Sequence, residues 1–180
     1  MTDRYTKTAV ILHWLIALLI FAAFPLGLYM HDLPLSPTKL RLYSYHKWIG
    51  VTVFLFAAIR VFWRSTHRPP LLPDTMQRWE KIAAEGMHYL LYALIFIVPI
   101  TGWLMSSAKG FQTVWFGVLP LPDLVGKNKE LGDLLHEVHE MLNYIMLGLV
   151  VAHAGAAIKH HFIERDDILT RMVPFLARRP

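Results

Sequence analysis

Four long apolar stretches constrain this chain more than any other feature of its sequence. They cover about residues 9–30, 43–63, 83–105 and 134–162. A helix needs about 20 apolar residues to cross the hydrocarbon core of a bilayer, and each stretch reaches that length. The stretches and their connections use up the 180 residues and leave no room for a separate soluble domain. The sequence therefore predicts an all-α membrane protein, a four-transmembrane-helix bundle forming one domain over residues 1–180.

The composition limits how such a bundle holds a cofactor. The chain has no cysteine, which excludes disulfides, thiolate-held iron–sulfur clusters and the covalent C-x-x-C-H attachment of haem. A metal or haem would be held by histidine, methionine or carboxylate groups, and there are ten histidines. The net charge of +5 is attributed to basic loops and contact with anionic lipid, so no nucleic-acid partner is expected.

The distribution of basic residues predicts the orientation. The stretch at 9–30 is too long for the apolar region of a signal peptide, so we interpret it as a retained first span. Of the 18 lysines and arginines, about twelve lie near the N-terminus, the second connection and the C-terminus, and about six near the other two connections. Basic loops stay in the cytoplasm, which predicts that both termini are cytoplasmic.

Two local features modify this plan. Pro99 lies inside the third span, where it is expected to kink the helix. The segment from Phe111 to Phe116 follows that span and contains Trp115. It is too short to cross the bilayer, so we predict that it lies at the membrane interface.

Five histidines fall within the apolar spans, where ionisable side chains are rare and usually functional. They are His13, His46, His88, His139 and His153. His31 and His67 are predicted to be ordinary surface residues in loops. By the order of the spans, His13, His88 and His153 belong to the cytoplasmic side, and His46 and His139 to the opposite side.

The spacing of two of these residues suggests what they bind. His153 follows His139 by fourteen residues, which is close to four helical turns and about 21 Å along the axis. One helix thus presents two imidazoles on nearly the same face at two depths. On the outer side the partner of His139 is His46. On the inner side it is His13 or His88, and His13 with His153 is the simplest pairing. This arrangement predicts two haems, each held by two histidines and stacked across the bundle.

Other interpretations of the histidines remain. Zinc would need three or four ligands in one shell, whereas these histidines pair by depth. A single intramembrane histidine is as easily a hydrogen-bonded structural residue as a ligand. His136, one turn before His139, competes for the outer haem but lies nearer the water. His88 has a second possible role, as a hydrogen-bond partner of a haem propionate or of another helix.

Beyond these pairs, the sequence resembles the bacterial cytochrome b561 family over nearly its whole length. The resemblance is carried by six groups of residues: Tyr5 with Ile11-Leu12-His13-Trp14-Leu15; His46-Lys47-Trp48-Ile49-Gly50; Ile59-Arg60-Val61-Phe62-Trp63-Arg64; His139-Glu140; His153; and Lys159-His160-His161-Phe162-Ile163 followed by Asp166, Leu169, Arg171 and Met172.

The resemblance implies a function and a location. It implies a multi-pass protein of the bacterial inner membrane that contacts lipid and binds two haem b groups. His13 and His153 would bind the cytoplasmic-side haem, and His46 and His139 the periplasmic-side haem. It also implies oxidation of a periplasmic reductant, in some members superoxide, with ubiquinone as electron acceptor. The chain would then be an oxidoreductase, with a pure electron carrier as the alternative.

The acceptor site and two competing functions complete these expectations. His160 lies one to two turns beyond His153, where an imidazole is able to hydrogen-bond a quinone carbonyl, and the resemblance also points to it. One competitor is a cytochrome b membrane-anchor subunit that receives electrons from a hydrogenase- or formate-dehydrogenase-type partner. The other is a haem-free transporter that uses the intramembrane histidines.

Overall fold

The protein is built from four long helices, as the sequence predicts. The computed structural model describes residues 4–73 and 75–176, so Arg178 and Arg179, counted in the charge distribution, lie outside the described residues. All four helices are long and apolar enough to cross a membrane. Their bounds are α1 Lys7–Asp32, α2 Pro37–Thr66, α3 Arg78–Ala108 and α4 Lys129–Lys159.

The first three helices extend beyond both ends of the apolar stretches that predict them, and α4 begins five residues before its stretch and ends at Lys159, where the π turn His160–Glu164 takes over. The helices have 26 to 31 residues, or about 39 to 47 Å at the usual rise, against about 30 Å of hydrocarbon. Their starts are fixed by polar caps rather than by apolar periodicity. Thr6, Ser36 and Asn128 accept backbone N–H groups in the first turns of α1, α2 and α4. These caps supply the hydrogen bonds that the first turn lacks, and they place the helix ends in the polar regions.

Neighbouring helices pack in sequence order, with α1 along α2, α2 along α3 and α3 along α4. Leu94 and Val98 of α3 and Met146 of α4 form a buried cluster, with Ile20 of α1 packed against it. Met146 lies midway along α4 between His139 and His153, so an apolar layer separates the two depths at which the histidines lie. We call the end where α1 begins and α4 ends the terminal end, and the opposite one the hairpin end.

A small antiparallel hairpin follows α3, which the sequence did not predict. β1 (Val114–Trp115) pairs with β2 (Leu119–Pro120), and Gly117 in the connecting turn has φ 72°, a left-handed conformation that favours glycine. Trp48 and Trp103 donate their indole N–H groups to carbonyls of this segment, at 2.7 and 3.0 Å. The segment is therefore a folded cover fixed to α2 and α3.

The chain closes the terminal end with a short strap. After α4, residues His160–Glu164 form one π-helical turn, and α5 (Ile168–Met172) follows. The indole of Trp14 donates to the Met172 carbonyl at 2.9 Å, and Arg171 donates to the Leu71 carbonyl at 2.6 Å. These contacts tie the strap to α1 and to the connection between α2 and α3.

Candidate haem-binding site

The outer histidine pair has the ring spacing of a bis-histidine iron site. The ring centres of His46 and His139 lie 6.2 Å apart, with an angle of 80° between the planes. An iron between two Nε2 atoms requires about 2 Å to each nitrogen, plus about 1.1 Å from each nitrogen to its ring centre, or about 6.2 Å in total. The rings of α2 and α4 therefore leave room between them for one iron.

Hydrogen bonds hold each outer ring by its other nitrogen. His46 Nδ1 lies 3.1 Å from the Ala23 carbonyl oxygen, and His139 Nδ1 lies 3.0 Å from that of Val98 and 3.1 Å from the Thr101 hydroxyl. A carbonyl oxygen only accepts, so Nδ1 must carry the proton and Nε2 keeps the free lone pair. This is the tautomer and the outer hydrogen bond that metal-binding histidines use.

Two glycines make the close approach of these rings possible. A Cβ atom at Gly27 would lie 3.3 Å from His46 Cε1, and one at Gly102 would lie 3.0 Å from His139 Cε1. Such contacts are shorter than ordinary van der Waals separations. Each outer ring therefore lies against the backbone of a neighbouring helix that has no side chain at the point of contact.

A cavity of about 370 Å³ borders the outer pair. All four long helices and the hairpin segment contribute to its wall, which includes Gly27, Gly50 and Gly102 beside His46 and His139. At Gly50 an added Cβ would meet no atom within 4 Å, so this wall is recessed. A largely apolar, recessed cavity beside two free Nε2 atoms suits a flat macrocycle with its iron between the rings.

The inner side holds three histidines, of which one pair has the same spacing. The ring centres of His13 and His153 lie 6.3 Å apart, whereas those of His88 and His153 lie 5.2 Å apart. The second distance is about 1 Å shorter than two axial ligands of one iron require. His88 donates its Nδ1–H to the Ala84 carbonyl of its own helix, at 2.6 Å, which leaves its Nε2 free as in the outer rings, so this hydrogen bond does not exclude it and only the spacing does. The spacing thus favours His13 over His88 as the partner of His153.

Arginine side chains lie beside the inner group and are held by neighbouring helices. Arg60 of α2 donates to the Ala9 carbonyl of α1 at 2.5 Å and to the Tyr92 hydroxyl of α3 at 3.1 Å. The guanidinium of Arg64 stacks over the Tyr92 ring at 5.8 Å. Positive charge is therefore fixed at the terminal end of the bundle, close to the inner histidines.

His160, the predicted acceptor-site residue, is buried in the π turn against two carboxylates. Its Nδ1 lies 2.5 Å from a Glu164 oxygen and 2.6 Å from an Asp166 oxygen. The Asp166 carboxylate also accepts the Ile168 N–H at 3.0 Å, and Glu164 pairs with Lys159 at 2.6 Å. The side chains of His160, Glu164 and Asp166 are also near enough to one another to hold a metal ion. The contacts of both carboxylates with His160, and of Glu164 with Lys159, already account for their positions.

The remaining histidines lie at helix ends. The prediction that His31 lies in a loop was wrong, because it is in the last turn of α1, where its ring stacks on that of His136 at 5.5 Å. His67 caps α2 and stacks on Trp63 at 4.0 Å. His136 lines the outer cavity with His31, one turn nearer the hairpin end than His139.

The structure therefore brings together the pairs that depth and spacing predict. It adds groups that sequence reasoning missed, above all the carbonyls of Ala23 and Val98 and the carboxylate of Glu164. Backbone carbonyls carry no signal in a sequence. Glu164 lies four residues after His160 in the sequence, which is a weak signal, because many such residues are only structural.

Comparison with known proteins identifies the family. Residues 4–175 match the profile of the prokaryotic cytochrome b561 family. The chain is 33% identical over 172 residues to cytochrome b561 homolog 2 of Escherichia coli (strain K12), covering 95% of this chain and 92% of the relative. It is 31% identical over 183 residues to homolog 1 of the same strain, covering 96% and 98%. It is 27% identical over 188 residues to a protein of Yersinia pestis named probable superoxide oxidase CybB, covering 97% and 98%. The chain belongs to the prokaryotic cytochrome b561 family of membrane electron-transfer proteins, which bind b-type haem.

Proposed function

We propose that this protein moves electrons across the membrane between two haem b groups held at the two depths of the bundle. His46 and His139 would hold the outer haem, and His13 and His153 the inner one. A bound b-type haem stores and releases one electron reversibly. The observation that carries the proposal is the ring spacing of 6.2 and 6.3 Å in two separate pairs that share α4. Chance contacts between imidazoles would not be expected to repeat the spacing of an axial ligand pair.

The proposed orientation places both termini in the cytoplasm of a bacterium and the hairpin end in the periplasm. It rests on the excess of lysine and arginine near the terminal end, where Arg60 and Arg64 lie beside the inner histidines. The chain would then be a multi-pass protein of the inner membrane. The electron donor would react at the hairpin end, and the acceptor at the terminal end.

Superoxide is the donor that we propose. One relative is named a probable superoxide oxidase, and lysines lie around the hairpin end. Lys39 and Lys47 donate to backbone carbonyls there, whereas Lys109 pairs with Asp133 at 3.4 Å. A basic rim of this kind attracts an anion and raises its association rate. Rates of superoxide oxidation that did not change with ionic strength would remove the steering part of this proposal.

Ubiquinone is the proposed acceptor, with His160 at its site. His160 lies seven residues beyond His153, close to the inner pair, and the same π turn exposes the apolar side chains of Phe162 and Ile163. Exposed apolar groups at a helix end suit contact with lipid, from which a hydrophobic quinone would arrive. His160→Ala should slow quinone reduction, and an unchanged rate would exclude this role.

The test of the haem sites is the number of haems per chain. We expect the purified protein to give the reduced-minus-oxidised spectrum of a b-type cytochrome and two haems per chain. His139→Ala should leave one haem, because the inner pair is intact. His136→Ala is the matched control, one turn away on the same helix and on the wall of the same cavity, and should keep two. A His139→Ala protein that keeps two haems would contradict the ligand assignment.

A further inference from the structure

We propose that Asp166 and Glu164 are positioning residues for His160, which hold its Nδ1–H so that Nε2 exchanges the proton with the quinone. This proposal rests on the proposed acceptor site and deepens it. Electron transfer between the haems does not require the Asp166 and Glu164 carboxylates, and the proposal gives them a role. It follows from the contacts of the π turn.

The two carboxylates meet the same ring atom from different parts of the chain. Glu164 belongs to the π turn, and Asp166 follows Arg165, whose φ of 58° ends the turn in the left-handed region. Nδ1 is hydrogen-bonded to the Asp166 carboxylate at 2.6 Å, and a Glu164 oxygen lies 2.5 Å from the same atom. A carboxylate oxygen only accepts from this atom when it is ionised, so Nδ1 must be the protonated nitrogen. Nε2 is then the nitrogen left to exchange a proton.

The carboxylates are themselves fixed, as a positioning role requires. The Asp166 side chain is 13% exposed and is held by the Ile168 N–H at the start of α5. Glu164 is 30% exposed and is held by Lys159, which also faces Glu80 of α3 at 3.7 Å. His160 Nδ1 therefore meets one nearly buried carboxylate and one more exposed carboxylate, each held by a second partner. A carboxylate behind an imidazole fixes its orientation and stabilises the charged ring in proton transfer.

Reduction of one quinone to quinol takes two electrons, which arrive one at a time from the inner side of the bundle, and two protons. The charged His160 ring breaks its Nε2–H bond and a new O–H bond forms at one quinone oxygen, while the Nδ1–H stays on the carboxylates. The second quinone oxygen takes its proton from water. After the quinol leaves, water restores the proton on Nε2.

A stopped-flow experiment distinguishes an effect on the rate of quinone reduction from an effect on quinone binding. Protein with both haems reduced by dithionite, freed of excess reductant, is mixed in stopped flow with a short-chain ubiquinone, and haem reoxidation is followed by absorbance. We expect Asp166→Asn and Glu164→Gln to lower the maximal rate by about tenfold or more, with the half-saturating quinone concentration within about threefold of wild type. The solvent deuterium isotope effect on the maximal rate should increase in both. Asp167→Asn is the matched control, because Asp167 pairs with Arg171 instead of His160, and should react at the wild-type rate.

Three outcomes decide the inference. If His160→Ala slows reoxidation while Asp166→Asn and Glu164→Gln both react at the wild-type rate, the positioning role is wrong and the acceptor site stands. If His160→Ala itself has no effect, the acceptor site is wrong and the positioning role fails with it. If Asp166→Asn loses haem, Glu164→Gln decides alone, because the Glu164 carboxylate is the more exposed and the Ile168 N–H at the start of α5 is bonded to Asp166 instead.

Discussion

The outer and inner histidine pairs share a spacing but differ in how the protein holds them. At the outer pair, both rings donate Nδ1–H to backbone carbonyls of neighbouring helices, lie against glycines and border a cavity of about 370 Å³. At the inner pair, His13 and His153 lie beside other aromatic rings, namely Trp14 and a third histidine, His88. The difference is one of preorganisation: the outer rings are oriented by the polypeptide itself.

The position of the outer rings is therefore fixed by the surrounding helices, whereas the inner site is defined by the distances between its rings. A ring anchored by a carbonyl keeps its tautomer and position before any metal binds, which raises affinity by lowering the cost of ordering. At the inner site the choice between His13 and His88 rests on distance alone.

The largest expected effect is the loss of the inner haem on His13→Ala. The spacing of 6.3 Å between His13 and His153 fits two axial ligands, and the 5.2 Å between His88 and His153 does not. We therefore expect one haem per chain in His13→Ala and two in His88→Ala, measured by the pyridine haemochrome method against protein concentration. The reverse result would make His88 the ligand and would remove spacing as a criterion.

A smaller but still large effect is expected for Gly102→Ala at the outer pair. The new Cβ would lie 3.0 Å from His139 Cε1, and the ring is unable to retreat without lengthening its hydrogen bond to Val98. We expect outer haem occupancy to fall by more than about half, because ligand geometry is lost, with the inner haem retained. Gly27→Ala, with a contact of 3.3 Å to His46, should lose less.

Gly148→Ala is the control for this substitution. Gly148 lies on the opposite face of α4 from His139, and an added Cβ there meets no atom within 4 Å. It should keep both haems and gain slightly in stability, since alanine favours a helix over glycine. Full haem occupancy in Gly102→Ala would mean that the outer ring is less tightly held than its contacts indicate.

The smallest effect is expected for Thr101→Val. The change removes one of two acceptors for His139 Nδ1 and leaves the Val98 carbonyl at 3.0 Å. We expect the outer haem to remain, with its affinity lowered by about tenfold or less and its midpoint potential shifted, while the inner haem keeps its potential. Redox titration of the two haems measures both, and a shift confined to the inner haem would contradict the assignment of Thr101 to the outer site.

Much of the fold was predictable because it depends on local and one-dimensional properties. Apolar runs of more than about 20 residues have few structures open to them in a membrane, so the four helices were confirmed. The helix ends were less predictable, because caps such as Ser36 and Asn128 fix them and lie outside the apolar runs. The hairpin escaped prediction, because two-residue strands carry almost no periodic signal.

By itself, the sequence determined that α4 presents His139 and His153 on one face about 21 Å apart, because helical rise and period are fixed by the backbone. It also predicted their partners by depth, with His46 on the outer side and with His13 or His88 on the inner side. Only the tertiary structure decided how the rings are held, which carbonyls accept hydrogen bonds from their Nδ1–H groups, and that His160 faces two carboxylates. Those features depend on how the helices rotate and approach one another, and that is set by packing between residues far apart in the chain.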